Sequence, residues 1–140
     1  MADVEITDDP ARIDVDLLQR ELAASYWSPG IPRTVVEAAI AGSECFSAHR
    51  DGQMVGFARL VTDRATFGYL ADVIVVAEHR GDGIGKALVG AVLERADRYR
   101  LRKVALVTKD AHGVYRPFGF TDPPDGEWMQ RSTPPSWLTG

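Results

Sequence analysis

Three glycines at alternate positions make residues 80–85 the stretch of this sequence with the clearest chemistry. It reads Arg80-Gly81-Asp82-Gly83-Ile84-Gly85 and lies between an apolar run and a long amphipathic segment, so we expect it to join a strand to a helix. Glycines let backbone N–H groups approach a ligand closely, and the first amides of a helix lack intrahelical acceptors. With the helix dipole, these donors predict an anion site that suits a pyrophosphate.

The spacing of this loop separates it from two other phosphate-binding motifs. A P-loop needs a glycine five residues before Gly85 and a hydroxyl after Lys86, but Arg80 and Ala87 occupy those positions. The dinucleotide fingerprint G-x-G-x-x-G would need its third glycine one residue later, and it follows a first strand, whereas this loop lies in the middle of the chain. The sequence therefore excludes the P-loop and argues against a dinucleotide site.

Hydrophobic periodicity and turn signals predict the elements that position the loop. We expect helices over residues 14–24, 35–41, 83–96 and 111–115, and strands over 44–49, 53–61, 66–76, 104–108, 118–120 and 128–129. Asp51-Gly52 is typical of a tight hairpin turn, so the first three strands, over 44–49, 53–61 and 66–76, should form an antiparallel meander. The strand after the long helix should run parallel to the one before the loop, because a β-α-β crossover normally has that form.

Composition limits the class of protein. The chain has 140 residues, of which 45% are hydrophobic and 26% charged, so we expect a single domain over residues 1–140 with a loose tail at 132–140. A net charge of -4 argues against a nucleic-acid partner. The acidic N-terminal stretch lacks the features of a secretory leader, and no apolar run is long enough to span a membrane. With the single Cys45 read as a buried thiol, these features favour a cytoplasmic protein without a membrane partner.

Two motifs together resemble the GNAT superfamily of acyl-CoA-dependent N-acetyltransferases. Arg80 to Gly85 matches its Arg/Gln-x-x-Gly-x-Gly pyrophosphate motif, and Tyr115-Arg116-Pro117-Phe118-Gly119-Phe120 matches its Tyr-x-x-x-Gly-Phe block. The order of elements agrees over nearly the whole chain. The resemblance implies an α/β (α+β) GNAT fold, in which a mixed, mostly antiparallel sheet of about six to seven strands is flanked by about four helices. It also implies acetyl-CoA as co-substrate, no metal, and direct attack by a primary amine through a tetrahedral intermediate.

The same resemblance assigns residues to the co-substrate. The backbone of Val73, Ile74 and Val75 would face the pantetheine arm and the thioester, with an N–H near Val75 as the oxyanion donor. Thr108 stands where the family often has an asparagine. The full set implied to bind acetyl-CoA is Val73, Ile74, Val75, Arg80, Gly81, Asp82, Gly83, Ile84, Gly85, Lys86, Thr108, Ala111, Tyr115 and Phe118.

Two side chains are candidates for proton transfer. Tyr115 is the candidate general acid, because a phenol with a pKa of about 10 can protonate a thiolate of comparable basicity. Asp72 lies within the apolar run 70–74, where burying a carboxylate is costly unless it has a purpose. We interpret it as a base for the amine or as a charge that steers the amine. A structural carboxylate paired with a neighbouring strand or with Arg59 is an equal alternative.

The acceptor site is expected in the proline-rich loop that carries Tyr26 and Trp27, with Arg59 as a third substrate-binding residue. A small-molecule amine is the preferred acceptor, and the protein would act as a monomer or homodimer. Two alternatives stay open. One is a non-catalytic acyl-CoA sensor or interaction module on the same fold, and the other is a nucleotide-dependent phosphotransferase, which the absence of a hydroxyl after Lys86 disfavours.

Overall fold

The structure is a computed structural model that describes residues 3–138. The chain divides into two compact units, the first ending at Val107 and the second beginning at Thr108. The expectation of one domain over residues 1–140 remains a prediction, and the last two positions of the expected tail lie outside the described residues. The elements are β1 (Glu5–Thr7), α1 (Val15–Ala23), α2 (Arg33–Ala41), β2 (Glu44–Arg50), β3 (Gln53–Thr62), β4 (Phe67–Val75), α3 (Ile84–Arg98), β5 (Lys103–Ala105) and α4 (His112–Tyr115).

The five strands form one mixed sheet in the order β1-β2-β3-β4-β5. Strands β1 to β4 pair antiparallel, and β5 pairs parallel to β4, which confirms the predicted meander and crossover. Strand β1 was not predicted from the sequence. The β2–β3 turn has positive φ at both Asp51 (53°) and Gly52 (78°), the conformation that a two-residue type I′ hairpin requires.

The strand count corrects the prediction of six to seven. Within residues 3–138 there are five strands, and neither closing strand expected after α4 is present. Residues Arg116–Phe118 form a turn of 3-10 helix, which Pro117 favours because it fixes φ and has no N–H to give to a sheet. Trp128 and Met129 lie in irregular, exposed backbone. The four α-helices agree with the prediction.

Helices cover both faces of the sheet in the first unit. Phe46 of β2 packs beneath the Arg95 guanidinium of α3, whereas the thiol of the neighbouring Cys45 contacts the Ile40 carbonyl of α2. Successive strand residues point to opposite faces, so α2 and α3 lie on opposite sides of the sheet. Gly56 of β3 lets α3 approach closely, since an added Cβ there would lie 2.9 Å from Leu88 Cδ1.

A buried carboxylate at the start of β2 ties α3 to the sheet. Glu44, only 9% exposed, accepts hydrogen bonds from Arg95 (2.5 Å), Tyr99 (2.6 Å) and Arg64 (2.8 Å). Arg95 also pairs with Asp8 over 2.6 Å. Burial alone would raise the pKa of Glu44, but these donors outweigh it and hold the pKa below its usual value. The cluster is internally satisfied, and we interpret it as structural.

Candidate active site

The glycine loop joins β4 to α3, the strand–loop–helix order that its sequence predicts. The chain leaves β4 through a 3-10 turn, Ala77–His79, and passes Gly81 (φ 91°) and Gly83 (φ 81°) before α3 begins at Ile84. An added Cβ at Gly81 or Gly83 would meet nothing within 4 Å, so positive φ and not crowding requires glycine. No side chain caps the start of α3. Its first-turn amides are therefore placed to bind an anion.

Two arginines fix the loop to the end of the sheet. The Nε of Arg80 donates to the Val75 carbonyl over 3.0 Å. One terminal nitrogen of Arg50 contacts both Asp82 Oδ2 (3.2 Å) and His79 Nδ1 (3.0 Å). Arg50 was not among the site residues predicted from the sequence. The signal was present, because Arg50 directly precedes the Asp-Gly turn, and in an antiparallel meander that turn lies at the end of the sheet where β4 finishes.

The edge of β4 nearest the loop lacks a strand partner in the described part of the chain. Strand β5 pairs only with Phe67–Tyr69, so the remainder of β4 extends beyond it. The N–H of Val76 donates to Val55 on β3 over 2.9 Å. Because main-chain groups alternate in direction along a strand, the N–H and carbonyl of Val75 point away from β3 toward the open edge. The Val75 carbonyl accepts a hydrogen bond from Arg80, whereas the Val75 N–H points to the open edge, where it can donate to a ligand.

A β-bulge interrupts β4 at Asp72. Arg59 pairs with Ala71 and Phe57 pairs with Ile74, so Asp72 and Val73 lie opposite the single residue between the β3 pair. Asp72 has a φ of 54°, a left-handed conformation that is uncommon outside glycine and that aspartate tolerates better than most residues. The bulge reorients the Asp72 side chain relative to a regular strand.

Both carboxylate oxygens of Asp72 accept hydrogen bonds. Trp27 Nε1 donates to Oδ1 over 2.9 Å, and Arg59 Nε donates to Oδ2 over 2.6 Å. Arg59 also donates to the Ser43 hydroxyl over 3.0 Å. The Asp72 side chain is 9% exposed and that of Arg59 is 20% exposed, so this ion pair is largely desolvated. Trp27, Arg59 and Asp72, three residues singled out from the sequence, thus lie together. The ion pair between Asp72 and Arg59 is the one expected if Asp72 is a structural carboxylate.

The loop between α1 and α2 places two aromatic rings beside this pair. Tyr26 and Trp27 are 56% and 44% exposed, and their rings meet edge to face with centroids 5.1 Å apart. The hydrogen bond from Trp27 to Asp72 fixes the loop against β4. An exposed aromatic pair held in this way offers an apolar wall beside a polar group.

The second unit carries the Tyr115 block. Thr108 Oγ1 accepts from the Ala111 N–H over 3.0 Å at the start of α4, and Tyr115 is the last residue of that helix. The Tyr115 ring packs edge to face with Phe120 at a centroid distance of 5.9 Å. Phe118, partly buried, precedes Gly119, whose φ of 93° reverses the chain. Thr108 and Ala111 thus precede α4, Tyr115 ends it, and Phe118 ends the 3-10 turn that follows.

Residues 3–138 contain no group of three or more His, Cys, Asp or Glu side chains that could hold a metal ion. No helix in this part of the chain is long and apolar enough to cross a bilayer.

Comparison with known proteins identifies the family. Residues 15–120 match the sequence profile of the Acetyltransferase (GNAT) family. A crystal structure from Xanthomonas campestris pv. campestris, of a protein assigned to that family, is 43% identical with a TM-score of 0.91 and 96% coverage of both chains. A candidate acetyltransferase of Gibberella zeae is 30% identical over 129 residues, which is 77% of this chain and 73% of that protein.

A more distant structure has the same fold. It is a GNAT acetyltransferase of Elizabethkingia anophelis with acetyl-CoA bound, 15% identical, with a TM-score of 0.68 over 86% of this chain and 78% of that one. The family match, together with the high identity and coverage of the Xanthomonas protein, establishes the assignment that the glycine loop and the Tyr115 block predict. The chain belongs to the GNAT family of acetyltransferases.

Proposed function

We propose that the protein transfers an acetyl group from acetyl-CoA to the primary amine of a small molecule, by direct attack of the amine on the thioester. The observation that carries the proposal is the glycine loop, which joins an uncapped helix start to the open edge of β4. The glycine loop, the open edge of β4, the Tyr115 segment and the α1–α2 loop are then proposed to bind the pyrophosphate, hold the thioester, supply a proton and bind the amine, respectively.

The loop suits a pyrophosphate because it offers main-chain donors and no obstructing side chain at Gly81 and Gly83. In the proposed complex the amides from Gly81 to Lys86 hold the pyrophosphate, and the Lys86 ammonium adds positive charge. The acetyl-CoA bound to the Elizabethkingia protein supports this ligand for the shared fold. Acetyl-CoA supplies the activated acetyl group, and the protein supplies its orientation.

The open edge of β4 suits the pantetheine arm and the thioester. Val73, Ile74 and Val75 present main-chain groups there beyond the end of β5. We assign the Val75 N–H to the thioester oxygen, which gains negative charge as the amine attacks. A donor fixed in place before reaction stabilises that charge without reorganisation, which is why such donors contribute strongly to acyl transfer.

Proton transfer requires an acid for the leaving group. The amine attacks in its neutral form, after its ammonium proton has passed to solvent water. Tyr115 is the proposed acid, which donates its phenolic proton to the thiolate of CoA as the carbon–sulfur bond breaks, and the proton that the attacking nitrogen then loses restores the phenol through solvent. Thr108, Ala111 and Phe118 are proposed to contact the co-substrate from the same segment. The packing of Tyr115 against Phe120 restricts the ring and supports a defined position for its hydroxyl.

The acceptor side of the site is proposed to lie at Tyr26, Trp27, Arg59 and Asp72. Asp72 has its charge balanced by Arg59 and its second oxygen engaged by Trp27, contacts that favour steering of the amine over removal of its proton. Each carboxylate oxygen keeps a second lone pair with which it can accept a bond from an ammonium group. A small amine with an apolar portion fits this combination of paired carboxylate and aromatic wall.

The composition supports the wider setting that we propose. The net charge of -4 and the single buried cysteine favour a cytoplasmic enzyme that acts on a free small molecule, without a nucleic-acid or membrane partner, as a monomer or homodimer.

Ligand binding and a turnover screen test this function. Thermal shifts with acetyl-CoA, CoA, ATP and NAD should show stabilisation by the first two only. Release of free thiol from acetyl-CoA is then followed over a panel of amines, with amino acids, polyamines and a peptide N-terminus included. Thiol release that depends on a small amine supports the proposal. Binding of acetyl-CoA without release by any amine would favour the sensor alternative, and stabilisation by ATP alone would contradict the assignment of the loop.

A further inference from the structure

We propose that Arg50 is a positioning residue for acetyl-CoA, because it neutralises Asp82 inside the glycine loop and turns its carboxylate away from the bound pyrophosphate. This inference rests on the proposed function only for the identity of the ligand. It starts from an anomaly in the loop itself, where a carboxylate lies between two glycines that should receive a doubly charged anion.

The charge of Asp82 opposes the task of the loop. Gly81 and Gly83, which flank it, have no Cβ and therefore restrict the backbone little, so nothing in the loop's own sequence directs the Asp82 side chain. A carboxylate within a few ångströms of a pyrophosphate would repel it, and the repulsion grows as water is displaced from the site. The loop therefore needs an outside group to hold this side chain and compensate its charge.

Arg50 supplies that group. Its NH1 nitrogen lies 3.2 Å from Asp82 Oδ2 and 3.0 Å from His79 Nδ1, so both of its N–H bonds are used on the loop. A guanidinium can only donate, so Nδ1 of His79 is the acceptor in this contact. The Arg50 side chain is 21% exposed, against 52% for Asp82, so the cation is the better fixed of the two partners.

The topology explains why Arg50 can act at this distance in sequence. Arg50 is the last residue of β2 and pairs with Gln53 across the two-residue turn at Asp51 and Gly52. That turn lies at the end of the sheet where β4 leads into the loop. The pairing of Arg50 with Gln53 in the sheet thus places the guanidinium beside the loop without depending on the backbone of the loop itself.

A double-mutant cycle on acetyl-CoA binding tests the inference, with R50A, D82N and the R50A/D82N double variant measured by calorimetry. R50A should raise the Kd for acetyl-CoA about fivefold to tenfold, because it leaves Asp82 charged and unpaired beside the phosphates. D82N should change it little, and the double variant should recover most of the affinity lost in R50A. R50K, which keeps the charge, should bind nearly as well as the unmodified protein. In turnover the effect should fall on the KM for acetyl-CoA and leave kcat within about twofold.

Arg12→Ala is the matched control, since Arg12 forms a surface pair with Glu5 in the same unit and should leave the Kd unchanged. A loss in R50A that persists in full in the double variant would overturn the inference, because Arg50 would then contact the ligand directly. A loss seen with acetyl-CoA but absent with its 3′-dephospho form would overturn it in the same way.

Hydrogen exchange of the ligand-free protein separates this inference from the proposed function. R50A should speed the exchange of amides in residues 79–86 relative to the unmodified protein and to Arg12→Ala. Unchanged exchange there would overturn the inference whatever the ligand proves to be. Faster exchange with no binding of acetyl-CoA by the unmodified protein would instead contradict the proposed ligand and leave Arg50 as the residue that orders the loop.

Discussion

The indole Nε1 of Trp27 donates a hydrogen bond to Asp72 Oδ1 over 2.9 Å, joining two residues that are 45 positions apart in the chain. The bond fastens the α1–α2 loop to the bulge of β4, and Arg59 holds the other oxygen of the same carboxylate. This bond therefore links the position of the proposed acceptor site, in the α1–α2 loop, to β4, the strand proposed to hold the thioester.

Trp27→Phe should weaken acceptor binding while leaving acetyl-CoA binding intact. The ring is kept but the N–H is lost, so the loop loses its fixed position against Asp72. We expect the acceptor KM to rise severalfold, the KM for acetyl-CoA to stay unchanged, and the free energy of unfolding to fall by about 1 kcal/mol. Trp128→Phe is the control, because Trp128 is similarly exposed and donates only to Gln130. Equal effects of the two substitutions would contradict the prediction.

Tyr115→Phe should lower kcat at saturating acetyl-CoA by about 10²- to 10⁴-fold, the usual contribution of a positioned general acid. Steady-state thiol release measures the effect. Tyr99→Phe gives the comparison, since the Tyr99 hydroxyl donates to Glu44 and its loss should reduce stability without a comparable change in kcat. An unchanged kcat in Tyr115→Phe would remove this tyrosine from the mechanism.

Gly83→Ala should destabilise the protein by about 1–2 kcal/mol, because alanine at a φ of 81° brings its Cβ against the backbone. It should also weaken acetyl-CoA binding, since the start of α3 shifts to relieve the strain. Gly90→Ala is the opposite case. Gly90 lies within α3 at ordinary φ with open space around an added Cβ, so the substitution should stabilise by about 0.4–1 kcal/mol. Urea unfolding of both variants checks the contrast.

Stability should fall as the pH drops through about 6.5, because of His49. The ring is buried beside the Ser47 hydroxyl, 2.9 Å from its Nε2, and burial together with the charge of Arg12 lowers the pKa of His49 below the usual 6.5. The unfolded chain then binds the proton more readily, so the contribution is present above pH 6.5 and is lost below it. Urea unfolding at pH 7.5 and 5.5 should show a lower free energy of unfolding at pH 5.5.

His49→Gln isolates this group. The variant should show a smaller decrease between the same two pH values, even if its stability at pH 7.5 is lower. The lowered pKa values of Glu44 and Glu5 affect stability only at more acidic pH, so they do not interfere in this window. An identical decrease in the variant would assign the effect to other groups.

Cys45 should resist thiol reagents in the folded protein. Burial raises the pKa of its thiol to about 11, despite the opposing charge of Arg59, so little reactive thiolate forms at neutral pH. Because the chain has a single cysteine, labelling with a disulfide reagent reports this site alone. We expect slow labelling at pH 7.5 and rapid labelling in denaturing urea. Rapid labelling of the folded protein would show that β2 opens at its α2 face.

The local patterns predicted the order and direction of the elements well. The Asp51-Gly52 turn, the helix after Gly83 and the parallel strand after that helix all follow from short stretches of sequence. The prediction of two closing strands was wrong. Phe118, Phe120, Trp128 and Met129 are residue types that favour strands, but the proline and glycine residues around them favour turns. The left-handed Asp72 and the bulge around it could not be predicted, since neither departs from an ordinary strand in its sequence pattern.

The sequence by itself determined the family and the glycine loop, because a loop conformation and a helix start depend on neighbouring residues and on the spacing of glycines. Tertiary structure decided the partners of its charged groups. The pairing of Asp72 with Arg59 depends on the register of β4 against β3, and its bond to Trp27 depends on where the α1–α2 loop lies. The pairing of Arg50 with Asp82 depends on which strand ends meet at one end of the sheet. Those contacts join residues 13 to 45 positions apart, and only the tertiary arrangement of strands and loops brings them within hydrogen-bond distance.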